Sequence, residues 1–148
     1  MLDIFNVNLR PLILPMLASP VPAGFPSPAD DFIEDEIDLS RLLVSNRAAT
    51  FFVRIRGDSM IGAQMFDGDI AVVDRSLIPQ GGDVVVVDVD GLRSFKVWRA
   101  DPDGRSLAFA NPAYPMFELA TDAVVEVWGV VSGVVSPGRR AGVRRQVS

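Results

Sequence analysis

The chain has 148 residues, with 14 Lys+Arg against 19 Asp+Glu, a net charge of -5, and no cysteine or histidine. That length suits one compact domain with a sizeable core, burying roughly 70% of the unfolded surface. The missing residue types exclude disulfide scaffolds, thiol nucleophiles, Cys/His zinc sites and Ser-His-Asp triads. All the basic residues but one are arginine, so Lys96 is the only basic side chain able to act as a neutral amine. Carboxylates are the rival bases. An acidic balance also argues against general nucleic-acid binding, which needs a basic face.

Residues 1–30 read as an extended, proline-rich N-terminal arm. Pro11, Pro15, Pro20, Pro22, Pro26 and Pro28 fall within it, and they oppose a regular helix or a central strand. The arm is nevertheless apolar, through Ile4, Phe5, Leu12, Ile13, Leu14, Met16, Leu17 and Phe25. Such a segment is expected to lie in a groove or to extend a sheet edge, its own or a partner's. The apolar stretch after Arg10 has the outline of a secretory signal, but Asp3 precedes it and Pro11 and Pro15 interrupt it. No stretch reaches the roughly 18 unbroken apolar residues of a membrane helix.

A β-rich domain is expected over 31–136. The acidic run Asp31, Glu34, Asp35 and Glu36 reads as a solvated linker, and Asp38 as the cap of a short helical turn over 39–44. From Thr50 the pattern turns to strands: Phe51–Arg56, Asp69–Asp74, the valine-dense Asp83–Asp90, Leu92–Arg99, Ser106–Ala110 and Val124–Val135. Asp90-Gly91 between two of these is a hairpin signal. Gly81-Gly82, Asp103-Gly104 and Asn111-Pro112 punctuate the rest. The expected fold is mostly β, about six or more largely antiparallel strands. Residues 137–148, with Arg139, Arg140, Arg144 and Arg145, read as a basic, solvated C-terminal tail.

Gly57-Asp58-Ser59-Met60 follows directly on the first of these strands. A glycine at a strand end lets the backbone turn tightly and places the next serine at a rim. A rim serine with free backbone amides beside it can attack a carbonyl while those amides receive the oxyanion; read alone, the same tetrapeptide is simply a turn. Lys96 lies on a predicted strand, sharing a face with Ser94 and Trp98, while Phe95 and Val97 take the other. Partial desolvation there would lower its pKa and let the amine take a serine proton. The alternative is a lysine snorkelling to water.

Together these segments resemble the UmuD/MucA branch of the LexA-type self-cleaving serine proteases. Gly57-Asp58-Ser59-Met60-Ile61 resembles the nucleophile motif, and Asp67-Gly68-Asp69-Ile70 with Val73-Asp74 the strand after it. Gly82-Asp83-Val84-Val85, Asp90-Gly91 and Lys96 resemble the segment carrying the lysine base. Asn111-Pro112-Ala113-Tyr114 and Val127-Trp128-Gly129-Val130-Val131 resemble the last strands. Ala23-Gly24-Phe25-Pro26-Ser27-Pro28 resembles the cleavage site. The likeness runs from about Ala23 to Val135.

The resemblance implies a Ser-Lys mechanism in which Ser59 attacks the carbonyl of Ala23. Lys96 then serves as general base and afterwards as general acid, and the backbone amide near Met60 holds the oxyanion. It implies no cofactor and no metal. By the same resemblance the protein is a bacterial cytoplasmic homodimer, cleaves itself under stimulation by a RecA filament on single-stranded DNA, and in shortened form joins a UmuC-like Y-family DNA polymerase for error-prone translesion synthesis. Direct sequence-specific DNA binding and membrane attachment are not implied. Gly24 and Ser59 are 35 residues apart, and at ~3.3 Å per extended residue the arm has ample reach. Phe66 departs from the family, where a smaller residue is commoner. Other readings are a LexA-like repressor, which needs a DNA-binding domain for which 23 proline-broken residues leave no room; a type I signal peptidase, which needs a membrane anchor; and a non-enzymatic β module that binds a polymerase.

Overall fold

Alternation and valine content make strands of most of the chain beyond Thr50. The computed structural model describes residues 3–6, 10–17, 33–101 and 104–137. Its elements are β1 (Asp3–Asn6), β2 (Ile13–Leu17), β3 (Ile33–Asp38), α1 (Leu39–Leu43), β4 (Thr50–Arg54), β5 (Ile70–Asp74), β6 (Val84–Val89), β7 (Leu92–Asp101), β8 (Gly104–Ala108) and β9 (Val125–Val135). The fold is therefore mostly β, as expected, and among the described residues helix is confined to short turns. No described helix is long and apolar enough to cross a membrane.

Seven strands form one sheet in the order β1-β4-β5-β9-β6-β7-β8, each antiparallel to its neighbours. β6 is interior to it, and Val85, Val86 and Val87 are all fully buried. The run does not alternate with polar residues because both faces of the sheet are covered. Val86 joins Val53, Ile55, Met60, Met65, Ala71, Val73 and Phe95 on one face. Val85 and Val87 join Leu107 and Val130 on the other. Each such valine contributes about 1.5–3 kcal/mol of burial. Asp90 and Gly91 both have positive φ, at 49° and 81°, as a two-residue hairpin turn of the right twist requires, and the β6–β7 register closes directly on it with Val89 opposite Leu92.

Among the described residues, β1 groups with everything from Asn46 onward, while the segment within Asn8–Ser45 forms a compact unit of its own. In that unit β2 and β3 make a two-stranded antiparallel sheet. Asp38 caps α1 as expected, accepting from the Ser40 amide at 3.0 Å, and also from the Leu12 amide at 3.2 Å.

One expectation changes here. Part of the acidic run is a strand rather than a linker: Ile33 and Ile37 lie opposite Leu17 and Leu14, and pairing with β2 satisfies backbone groups that a solvated linker would leave to water. The described part of the arm extends a sheet edge, as expected: β1 lies beside β4 at the edge of the large sheet, and β2 pairs within the chain. Pro15 is accommodated because a two-stranded sheet has only edge strands. The expected cleavage bond Ala23–Gly24 and the basic residues from Arg139 to Arg145 lie outside the described residues.

Candidate active site

The backbone leaves β4 through buried Ile55, whose amide donates to the Asp69 carbonyl at 2.8 Å. Gly57 then turns with φ +82°, a conformation that costs glycine nothing, and its amide donates to Asp67 Oδ1 at 2.7 Å. Ser59 follows in the turn, half-buried, and Met60 drives its side chain into the core. One residue on one side of Ser59 is thus held by a carboxylate, and its other neighbour by the core.

The loop after β8 fastens this turn from above. Ala110 donates its amide to the Ser59 carbonyl at 2.9 Å and accepts from the Gly62 amide at 2.6 Å. Asn111 Nδ2 donates to the Asp58 carbonyl at 2.8 Å, and Tyr114 donates its hydroxyl to Asp58 Oδ1 at 2.6 Å. Gly62 is required by that approach, since a Cβ there would sit 2.6 Å from the Ala110 oxygen. Among the described residues, the amides of Ser59 and Met60 themselves have no hydrogen-bond acceptor, so both are free to donate to an incoming oxygen.

Lys96 is placed by register. It lies opposite Val85, with Phe95 in one core cluster and Trp98 packed against the other, the alternation the sequence predicts. Its side chain is 5% exposed. Nζ donates to Ser94 Oγ at 2.7 Å and to the Phe95 carbonyl at 3.2 Å. The rings of Phe109 and Phe117 lie 4.7 and 4.9 Å from Nζ. Among the described residues Lys96 has no carboxylate partner, and burial holds its pKa below the ordinary 10.5. The ring faces favour the ammonium, but desolvation of an unpaired charge is the larger effect.

Ser59 and Lys96 line one cavity of about 230 Å³, together with Ile55, Arg56, Gly57, Met60, Arg93, Ser94 and Phe95. Arg93 is held by a two-pronged ion pair with Asp88, at 2.7 and 2.9 Å, which lowers the Asp88 pKa. Its guanidinium is stacked over Trp128 at 4.9 Å. That pairing neutralises a second cation on the wall near Lys96.

Several contributors were not singled out from the sequence. Asn111 and Tyr114, expected with the last strands, lie in the loop after β8 and act as clamps on the Ser59 turn. The rings beside Lys96 are those of Phe109, within the expected Ser106–Ala110 strand, and Phe117, in the loop beyond it. The density of aromatics between Ala108 and Thr121, unusual in a loop, was the available signal.

Residues 15–132 match the Peptidase S24-like family. The chain belongs to that family. Protein SamA of Salmonella typhimurium is 40% identical over 126 residues, spanning 84% of this chain and 86% of that protein. Protein MucA of Escherichia coli is 35% identical over 120 residues, 80% of this chain and 82% of that protein. LexA repressor 1 of Geobacter sulfurreducens is 36% identical over 127 residues, 85% of this chain but only 62% of the repressor. As an S24-like peptidase with relatives of the UmuD-like kind, the chain carries both Ser59 and Lys96 inside the matched span.

Proposed function

We propose that the protein is a self-cleaving serine peptidase of the SOS response that cuts its own Ala23–Gly24 bond with Ser59 and Lys96. The observation that carries this reading is the shared cavity: the only lysine of the chain is buried, without a carboxylate partner among the described residues, in the wall of the pocket that Ser59 also lines. A lysine held in that way loses its proton at lower pH than a solvated one, and the neutral amine is the form that can accept the Ser59 proton.

The steps follow. Ser59 Oγ forms a bond to the Ala23 carbonyl carbon while its proton passes to Lys96 Nζ. The carbonyl oxygen takes the negative charge and receives hydrogen bonds from the amides of Met60 and Ser59. As the intermediate collapses, the C–N bond to Gly24 breaks, and Lys96 returns its proton to the leaving amine. Water, deprotonated by Lys96, then releases the Ala23 carboxylate from Ser59. Ser94 holds the ammonium between these steps. Small residues on both sides of the bond suit a narrow site that must admit the main chain.

In this reading the resting form is a homodimer in the bacterial cytoplasm, a RecA filament on single-stranded DNA stimulates cleavage, and the product joins a Y-family polymerase. The names and matched lengths of SamA and MucA support the assignment to this branch. Asp3 and Arg10 are the only charged residues before the bond, so cleavage leaves the net charge unchanged. The signal is the loss of an apolar segment.

The deciding experiment is the intact mass of purified protein after incubation at about pH 10. The expected product begins at Gly24 and is absent from Ser59→Ala. The same fragment from both proteins, or none from the unaltered chain even with RecA filaments, overturns the assignment and leaves a binding module.

A further inference from the structure

β1 lies within the 23 residues that proposed cleavage detaches, yet it completes the sheet on the other side of that bond. Asp3, Ile4, Phe5 and Asn6 are registered opposite Arg54, Val53, Phe52 and Phe51, and Ile4 packs against the core cluster that contains Val53, Ile55 and Met60. The strand it covers, Thr50-Phe51-Phe52-Val53-Arg54, contains no proline, glycine or lysine, and its pairing with β5 carries no bulge. Sheet edges are ordinarily blunted by such devices. Here the covering is β1 itself.

While the chain is intact, β1 is held at its seat by a covalent tether, equivalent to a local concentration of about a millimolar. Hydrolysis between residues 23 and 24 removes that covalent tether and leaves β1 on a peptide held only by the strand pairs of β1 and β2. We propose that the β1 seat on β4 is a strand-binding site opened by self-cleavage. Its occupant is an extended segment of a partner polypeptide that pairs antiparallel with β4 and sets an apolar side chain where Ile4 sits. Main-chain hydrogen bonds supply the affinity, and the slot over Val53 supplies the selectivity. An acidic residue just before the apolar one would lie opposite Arg54, as Asp3 does.

A second copy of the chain fits this seat less well. Two β4 strands paired about Phe52 would bring Phe51 of one to the Ile4 position of the other, but Phe51 already packs in a tilted arrangement against Trp128 of its own chain, with ring centroids 5.3 Å apart. The inference rests on cleavage at Ala23–Gly24, so its test is built to be readable without cleavage.

The test uses the full chain carrying Ser59→Ala, which stays intact, with and without Ile4→Pro, and a fluorescent peptide with the sequence of residues 1–8. Ile4→Pro takes away a backbone N–H, restricts the strand's φ and shortens the side chain, whereas Ile4→Asp replaces only the apolar side chain. The peptide is expected to bind at least tenfold more tightly to the Ile4→Pro chain, with Ile4→Asp giving a smaller gain. Deuterium exchange over 50–54 should be faster in Ile4→Pro and slow again when peptide is added, and a peptide carrying Asp in place of Ile4 should not bind. Equal affinities for the altered and unaltered chains, or unchanged exchange over 50–54, overturn the proposal. Concentration-dependent dimerisation of the Ile4→Pro chain in place of peptide binding would make a second copy the occupant and also overturn it. Wild-type protein that fails to lose residues 1–23 overturns the cleavage reading and with it the opening of the seat, whereas strand binding at the seat itself is still read from the two Ser59→Ala chains.

Discussion

The turn that carries Ser59 and the strand that carries Lys96 border the same cavity, but the turn is fastened by hydrogen bonds near the surface and the strand by burial. Around Ser59, the Gly57 amide, the Asp58 carbonyl and carboxylate, the Ser59 carbonyl and the Gly62 amide are all engaged, by Asp67, Asn111, Tyr114 and Ala110. Around Lys96 the neighbours are a valine strand and two phenylalanine rings, with Ser94 and one carbonyl as acceptors. The difference suits the two roles proposed for Ser59 and Lys96. A nucleophile needs its position fixed to a fraction of an ångström, which directional bonds provide. A base needs its proton affinity tuned, which desolvation provides and hydrogen-bond geometry alone does not.

Lys96→Arg breaks the comparison at its strongest point. Guanidinium keeps charge and length but cannot give up its proton, so self-cleavage at pH 10 should fall by at least about a thousandfold. Mass spectrometry over a time course measures this. Retained cleavage within tenfold would move the base role to a carboxylate or to water.

Gly62→Ala attacks the other side. The added methyl would sit 2.6 Å from the Ala110 oxygen, so the bond from the Gly62 amide must give way and the Ser59 turn loosens. A misplacement on the order of 1 Å costs about a hundredfold in rate, and the lost bond costs about 1 kcal/mol of stability. The informative readout is the pH profile of what activity is left. Its midpoint should not move, because nothing around Lys96 has changed. A shifted midpoint would mean that the two supports are coupled through the cavity.

The same division separates what sequence reading reaches from what it misses. Period-2 patterns, Asp90-Gly91 and the Asp38 cap are local signals, and the strands from β4 onward and α1 stand close to where those signals put them. The two faces of β7 also follow from alternation alone. The sheet order does not: β9 inserts between β5 and β6, and nothing within ten residues of Val125 encodes its partners. β3 was hidden because its strand character depends on β2, some twenty residues earlier. The clamps from Asn111 and Tyr114 were hidden for the same reason, since Asp58 lies 53 and 56 residues away from them. Resemblance supplied Ser59 and Lys96 as a pair, but only the fold shows that Lys96 Nζ is engaged by Ser94 and the Phe95 carbonyl.

The smallest expected effect concerns stability and follows from the sign of the Lys96 shift. Burial lowers its folded-state pKa below 10.5, so at neutral pH the folded protein carries a charge that unfolding would rehydrate. The unfolded chain therefore binds the proton more tightly, and stability gains with rising pH through the interval between the folded value and 10.5. Lys96→Met keeps the apolar stem and removes the charge. Its Tm at pH 7 should exceed that of Ser59→Ala by a few degrees, and the gap should close as pH approaches 10.5, when both proteins are neutral at residue 96. Using Ser59→Ala as the reference keeps self-cleavage out of the melting curve. A gap that widens with pH would mean that the contacts to Ser94, the Phe95 carbonyl and the two rings stabilise the ammonium more than burial penalises it. The buried lysine would then be held charged, and deprotonating it would have to be the work of the incoming cleavage segment rather than of the resting fold.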